Sequence, residues 1–424
     1  MEVRKGYKQT EAGVIPEDWE TSRLDYLGSG KIPPIKAGPF GSSLTKDMYV
    51  PNGYKIYGQE QVIRGDYLYG DYFISKEKYR ELESCSVKPG DVLLSLVGTA
   101  GKVLVIPEDA PEGIINPRLI RFSFDKNRII AIFFKALFET EYFQDILSRQ
   151  AQGGTMGVLN ASMLRPLVIP IPPLPEQKAI TAALSDVDAL LNSLDALVAK
   201  KRFIKQGAMQ ELLTGKKRLP GFGDEWGKIN MAEHSTLKAR IGWQGLTTAE
   251  YLNTGEYNLI TGTDFIDGKV YWEGCHFVEK NRYDQDKNIQ VRIGDVLITK
   301  DGTIGKVAYI DHLPKEATLN SGVFVVRPKD NKYHPRYFYY VLSSKIFDDF
   351  LQQLQAGSTI NHLYQKDFVN FTFSAPSLPE QIAIAEILSD MDTEISALEQ
   401  KYEKTRLLKQ GMMQELLTGR IRLV

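Results

Sequence analysis

The stretch KQGAMQELLTG at residues 205–215 recurs almost unchanged as KQGMMQELLTG at 409–419. A period of about 204 residues is far longer than the ~20–50 residues of a solenoid repeat. The duplicated unit is therefore a domain together with its connector. Residues 172–219 align without a gap on 376–423, with about 26 of 48 positions identical. The same offset carries GDVLLSLVGTAGKV (90–103) onto GDVLITKDGTIGKV (294–307), Asn116 onto Asn320, and Gly153 and Thr155 onto Gly357 and Thr359. Trp19 answers Trp226 once a three-residue gap is allowed. The predicted order is lobe, connector, lobe, connector, at 1–171, 172–215, 216–375 and 376–424. The connectors are close copies and the lobes diverge.

Each connector reads as one long helix. After PPLPEQ and PSLPEQ there is no proline for some 40 residues, and the only glycines before the ends are Gly207 and Gly411. Ile180, Leu184, Val187, Leu191, Leu194 and Val198 recur at steps of four and three, and Ile384, Leu388, Met391, Ile395, Leu398 and Tyr402 hold the matching places. That heptad gives each helix one apolar seam. Pro175 and Pro379 suit a first turn, Glu176 and Glu380 favour the positive helix start, and Gly215 and Gly419 suit the left-handed position that ends a helix. A helix of about 38 residues is roughly 57 Å long at ~1.5 Å per residue and needs a partner for its seam. The other copy, run antiparallel, is the expected partner; packing on its own lobe is the alternative. Glycine inside a helix costs ~1 kcal/mol relative to alanine, so Gly207 and Gly411 point to a close approach by the other helix or by a partner protein.

The lobes read as mixed units of ordinary domain size. GDVLLSLVG and GDVLITKDG are short strand-forming runs bounded by glycine, and LIRFSF (119–124) and VFVVRP (323–328) alternate as strands do. Residues 129–147 and 335–354 read as helices, each followed by a glycine-containing turn. Trp19 and Trp226 read as core anchors at the lobe starts.

The opening YKQTEAGVIPEDWE, GPFGSSL at 38–44, the paired GDVLLSLVGTAGKV and GDVLITKDGTIGKV, the Gly-Ser and Gly-Thr turns, the PPLPEQ helix start and the QELLTG helix end occur in order over essentially the whole chain. Together they resemble the specificity subunit of a Type I restriction–modification enzyme. The resemblance implies an α+β fold. Two target-recognition domains alternate with two long helices that form an antiparallel coiled coil with a pseudo-two-fold repeat. It further implies a non-catalytic chain that reads a bipartite DNA site, one half per domain, across a spacer set by the helices. The implied partners are double-stranded DNA, two modification (methyltransferase) subunits and restriction subunits. S-adenosylmethionine and ATP would then be used by those partners, with no cofactor on this chain.

Composition neither adds to this nor opposes it. A net charge of −1 argues against a uniformly basic DNA-coating protein, but clustered cations and a partner can still supply phosphate contacts. No run of apolar residues predicts a signal peptide or membrane span, and Cys85 and Cys275 form no metal or redox motif. A cytoplasmic protein is expected. GTAGK (98–102) and GTIGK (302–306) lack the spacing and the hydroxyl residue of a phosphate loop; a tight turn, or one that carries Lys102 and Lys306 to the DNA backbone, is expected instead. No Asn-Pro-Pro-Tyr-like segment is present, and His234, His276, His312, His334 and His362 form no ligand pair. A self-contained methyltransferase–endonuclease lacks its motifs here. A purely structural coiled-coil scaffold is the other alternative.

Base reading needs fork-shaped donors and amides. In the first lobe the candidates are Gln59, Gln61, Arg64, Lys102, Asn116, Arg118 and Thr155. In the second they are Arg240, Trp243, Gln244, Lys300, Lys306, Asn320, Ser321, Ser358, Thr359 and Asn361. For each residue taken alone, a turn or surface role competes with base reading.

Overall fold

The computed structural model describes residues 4–30, 33–96, 99–152, 159–356 and 362–423. The chain forms two compact units. One comprises Met1–Leu194 with Lys401–Val424, the other Asp195–Gln400. Each unit contains one lobe and a part of both long helices.

In the first unit, one four-stranded sheet has the order Phe73–Ile74, Tyr54–Tyr57, Gly113–Ile115, Ser86–Val87, with the two central strands parallel. The other is antiparallel, in the order Ile35–Ala37, Leu119–Phe122, Val92–Ser95, Val103–Val105. All four residues of Val92–Ser95 and of Leu119–Phe122 are buried, because both faces of this sheet are covered. Side chains alternate across a strand. Val92, Leu94, Ile120 and Phe122 thus join the core built with Phe133, Phe134 and Phe138, while Leu93 and Leu119 join a second core with Ile56 and Ile114.

The second unit repeats the plan. Its antiparallel sheet runs Ser235–Ala239, Val323–Pro328, Val296–Thr299, Val307–Tyr309, and a three-stranded sheet again pairs two strands in parallel, Tyr257–Ile260 with Ala317–Leu319. Val296 and Ile298 face one core and Leu297 the other.

The single helices expected at 129–147 and 335–354 are each two: Ala131–Phe138 then Glu141–Gln152, and Pro335–Leu342 then Lys345–Ala356. A hydroxyl restarts the helix in both places. Thr140 Oγ1 accepts from Phe143 N at 3.4 Å, and Ser344 Oγ accepts from Ile346 N at 3.3 Å, as helix caps do.

The long helices span Leu174–Leu212 and Leu378–Leu416, and Gly215 and Gly419 follow them at φ +71° and +70°. Within the first unit Lys409 pairs with Asp188 at 2.6 Å, and Ile180 and Leu184 share a core with Leu416 and Leu417. Within the second, Lys205 meets Asp392 at 2.5 Å, Lys201 meets Glu394 at 2.6 Å, and Leu212 and Leu213 share a core with Ile384 and Leu388. Early residues of one helix meet late residues of the other, so the segments run antiparallel in each unit. Ile180, Leu184, Leu194, Ile384, Leu388 and Ile395 are buried, and Val187, Leu191, Val198, Met391, Leu398 and Tyr402 are half-buried. A Cβ built at Gly207 or Gly411 meets nothing within 4 Å, so neither glycine serves a close approach within the described residues.

The helix starts are fastened twice over. Gln177 Oε1 accepts from Ile130 N and its amide donates to Pro172 O, both at 2.9 Å; Gln381 makes the matching bonds to His334 N and Pro376 O, also at 2.9 Å. Glu176 and Glu380 are buried and do more than favour the helix start. Arg422 forks onto Glu176 at 2.6 and 2.8 Å, and Arg218 forks onto Glu380 at 2.8 and 2.6 Å. Trp19, fully buried, donates to Glu176 at 2.9 Å. Trp226 is only half-buried, and its indole N–H has no partner among the described residues.

Candidate nucleic-acid interface

Four connections converge at one end of the sheets in each unit. In the first, Gly38 N donates to Leu119 O at 3.0 Å, Leu96 N to Arg118 O at 3.1 Å, and Asn116 N to Tyr57 O at 2.8 Å. Glycine is required at 38, because a Cβ there would lie 1.9 Å from Asn116 O. In the second, Lys300 N donates to Gly322 O and Asn320 N to Ile260 O, both at 2.9 Å. Each cluster thus joins the loop after the edge strand, the turn after the central parallel strand, the turn into the strand at Leu119 or Val323, and the turn carrying GTAGK or GTIGK.

That last turn is built by a hydroxyl. Ser95 Oγ accepts from Lys102 N at 3.0 Å, and Thr299 Oγ1 accepts from Lys306 N at 2.9 Å. Gly101 and Gly305 take φ of +85° and +83°, a conformation glycine adopts without strain. The side chains of Lys102 and Lys306 are exposed. They suit phosphate contact, which positions a protein on a duplex.

Arg118 is exposed, and its guanidinium has no hydrogen-bond or ion-pair partner among the described residues. Asn116 is half-buried and accepts from Arg118 N at 2.9 Å. Gln59 is half-buried, its Oε1 unpartnered among the described residues. Arg64 is exposed, its guanidinium 4.1 Å from the Tyr69 ring centre. In the second unit Lys300 is half-buried over the Phe324 ring. Asn320 donates to Tyr251 OH at 2.7 Å and accepts from Ser321 N at 2.6 Å, which holds both side chains of that turn.

Three expected base readers are buried instead. Gln61 is buried, accepting from Gly58 N at 2.9 Å and donating to Tyr69 O at 2.6 Å. Arg240 is buried; it donates to Leu319 O at 2.9 Å and to Thr318 Oγ1 at 3.2 Å, and burial lowers its pKa from the ordinary value. Gln244 is buried, its Oε1 unpartnered among the described residues. None of the three presents a free fork to a base. Thr155, Ser358, Thr359 and Asn361 lie outside the described residues, as does the Trp243 side chain.

Phe40 and Ile241, which carry no hydrogen-bonding group and were not among the expected readers, project from the same clusters. Nor does the sequence show the hydrogen bond between His362 Nδ1 and Asp301 Oδ1 beside the GTIGK turn. Burial pushes the Cys275 thiol up to about 12, which leaves it protonated. Among the described residues no group of three or more metal-ligand side chains lies together, and no helix is long and apolar enough to cross a membrane.

Fold and loops define an internally duplicated chain of two mixed lobes on two long helices. The family model described as Type I restriction modification DNA specificity domain matches residues 16–200 and 244–407, and the chain belongs to that family. The Type I restriction enzyme MjaVIII specificity subunit of Methanocaldococcus jannaschii is 23% identical over 99% of this chain and 96% of its own. The EcoBI specificity subunit of Escherichia coli is 22% identical over 79% of this chain and 74% of its own. In fold, the Type I restriction–modification S subunit from M. genitalium is similar over 98% of each chain, with a TM-score of 0.58 at 14% identity.

Proposed function

We propose that this chain is the DNA-reading subunit of a Type I restriction–modification assembly, with each unit reading one half of a bipartite target. The observation that carries the reading is a single loop cluster built twice on one topology, with different side chains in the two copies, while the helices that bear the lobes are near-identical. Different words read by one device need that combination. The two long helices form an antiparallel coiled coil, and its length sets the spacer between the half-sites, as element geometry sets half-site spacing in other DNA readers. The domains are 1–171 and 216–375, with connectors at 172–215 and 376–424.

The chain itself is non-catalytic. It directs two modification subunits and the restriction subunits, which use S-adenosylmethionine and ATP, and it works in the cytoplasm. The exposed side chains of Leu197 and Ile204 on the first long helix, at 37% and 44%, lie seven residues apart within the second unit and suit docking by a partner helix. Arg118 supplies a guanine-type fork in the first unit, and Lys102 and Lys306 supply phosphate contacts. The test is genome-wide mapping of methylated adenines in cells that carry the partner subunits, with and without this chain. A two-part motif of fixed spacing that depends on the chain supports the reading; an unchanged methylation pattern rejects it.

A further inference from the structure

Among the described side chains, the turn after the edge strand of the antiparallel sheet projects one large apolar side chain into solvent in each unit. Phe40 is 86% exposed and Ile241 is 53% exposed. The two share a backbone position. Each precedes a three-residue 3-10 turn, with φ −60°, ψ 147° at Phe40 and φ −74°, ψ 146° at Ile241. Each carbonyl accepts from the amide three residues on, Ser43 or Gln244, at 2.8 Å.

Both side chains are held out by built supports. Pro39 fixes its own φ, Gly38 is pressed against Asn116, and Leu44 is buried beyond the turn. Next to Ile241, Arg240 is buried and tied to Leu319 O, and Gln244 is buried on the far side. Exposed Gly41 and Ser42 follow Phe40, and exposed Gly242 follows Ile241. A protein-docking surface needs a contiguous apolar patch; a single apolar point among the described side chains of a braced loop fits a narrower slot.

We propose that Phe40 and Ile241 are the apolar wedges of the two readers, each pressed between adjacent base planes of its own half-site so that one step is unstacked. Phenylalanine and isoleucine are both residues that DNA-bending proteins insert in this way. The inference rests on the DNA-reading role proposed above. The loop bearing Phe40 abuts the turn bearing Arg118, so unstacking and base reading fall on neighbouring positions. The wedge also explains how Arg240 and Gln244 contribute without touching a base: they brace Ile241.

The test uses the assembled complex with its modification subunits, on duplexes of the mapped target carrying 2-aminopurine at successive positions in either half. Wild type raises 2-aminopurine fluorescence in both halves. Phe40→Ala abolishes the rise in one half, and Ile241→Ala in the other. Phe40→Ala weakens binding roughly 5- to 150-fold, the range for loss of one stacked aromatic, while the thermal midpoint of the chain is unchanged because the side chain is exposed. Phe40→Trp retains binding. Selective wild-type binding with no fluorescence rise, or alanine variants that bind like wild type, overturns the wedge alone. A wild-type complex without sequence-selective binding overturns the DNA-reading role itself.

Discussion

Replacing Arg218 by alanine strands a buried carboxylate. Glu380 is 0% exposed, and both its oxygens accept from Arg218, at 2.8 and 2.6 Å. Among the described residues no other side chain bonds it. Removing one partner of a buried ion pair costs ~3–5 kcal/mol. The arginine is 27% exposed, so water reaches the vacated site and the lower end applies, about 3 kcal/mol. For a unit of this size that lowers the melting temperature by roughly 6–12 °C. Arg422→Ala is the internal control. Glu176 keeps its bond from Trp19 Nε1 at 2.9 Å, and a hydrogen bond to a charged group is worth ~1.5–3 kcal/mol; the variant also frees Asp18, but that pair is exposed and worth at most ~1 kcal/mol, so the total is smaller, about 2 kcal/mol. Arg218→Met with Glu380→Leu removes both charges and returns to within ~1 kcal/mol of wild type, since apolar replacement of a buried pair is often neutral. Urea and thermal unfolding of the full chain read all three. An Arg218→Ala variant within ~1 kcal/mol of wild type, or one less damaging than Arg422→Ala, refutes the reasoning.

Other outcomes follow from the same structure. Lys306→Ala weakens DNA binding about equally for all sequences and lowers the salt dependence by about one counterion, measured by titration at several salt concentrations. Asp18, beside the Arg422 guanidinium, is held below the ordinary carboxylate range; its stabilisation is present above that range and is lost as pH falls through its own lowered value. Asp18→Asn therefore lowers stability at neutral pH and has a shallower acid limb, read by melts across pH. Inserting four residues, about one helical turn, into both long helices changes the tolerated spacer and leaves both half-site words intact in a methylation map.

The architecture was legible because it is periodic. PPLPEQ and QELLTG marked both ends of each long helix, and GDVLLS, GDVLIT and VFVVRP marked strands whose burial follows from their apolar runs. The helix breaks were missed because Thr140 and Ser344 sit inside otherwise helical patterns, and a hydroxyl restarts a helix only if the chain turns there. The site was less legible. Residue type shows that Gln61 and Arg240 have donors to offer, but not that Tyr69 O and Leu319 O already take them. Phe40 and Ile241 were invisible for the converse reason, since nothing in GPFGSSL or RIGWQGL says that the apolar residue faces water. Glu176 and Glu380 were read through the helix start, while their arginine partners lie about 246 and 162 residues away.

The claim that each lobe reads its own word is tested most directly by replacing the lobe at 216–375 with a second copy of the lobe at 1–171 and mapping methylated adenines in cells that carry the partner subunits. Two inverted copies of one word at the native spacing are the predicted motif. Survival of the original asymmetric target, or methylation at a word found in neither half, would contradict it.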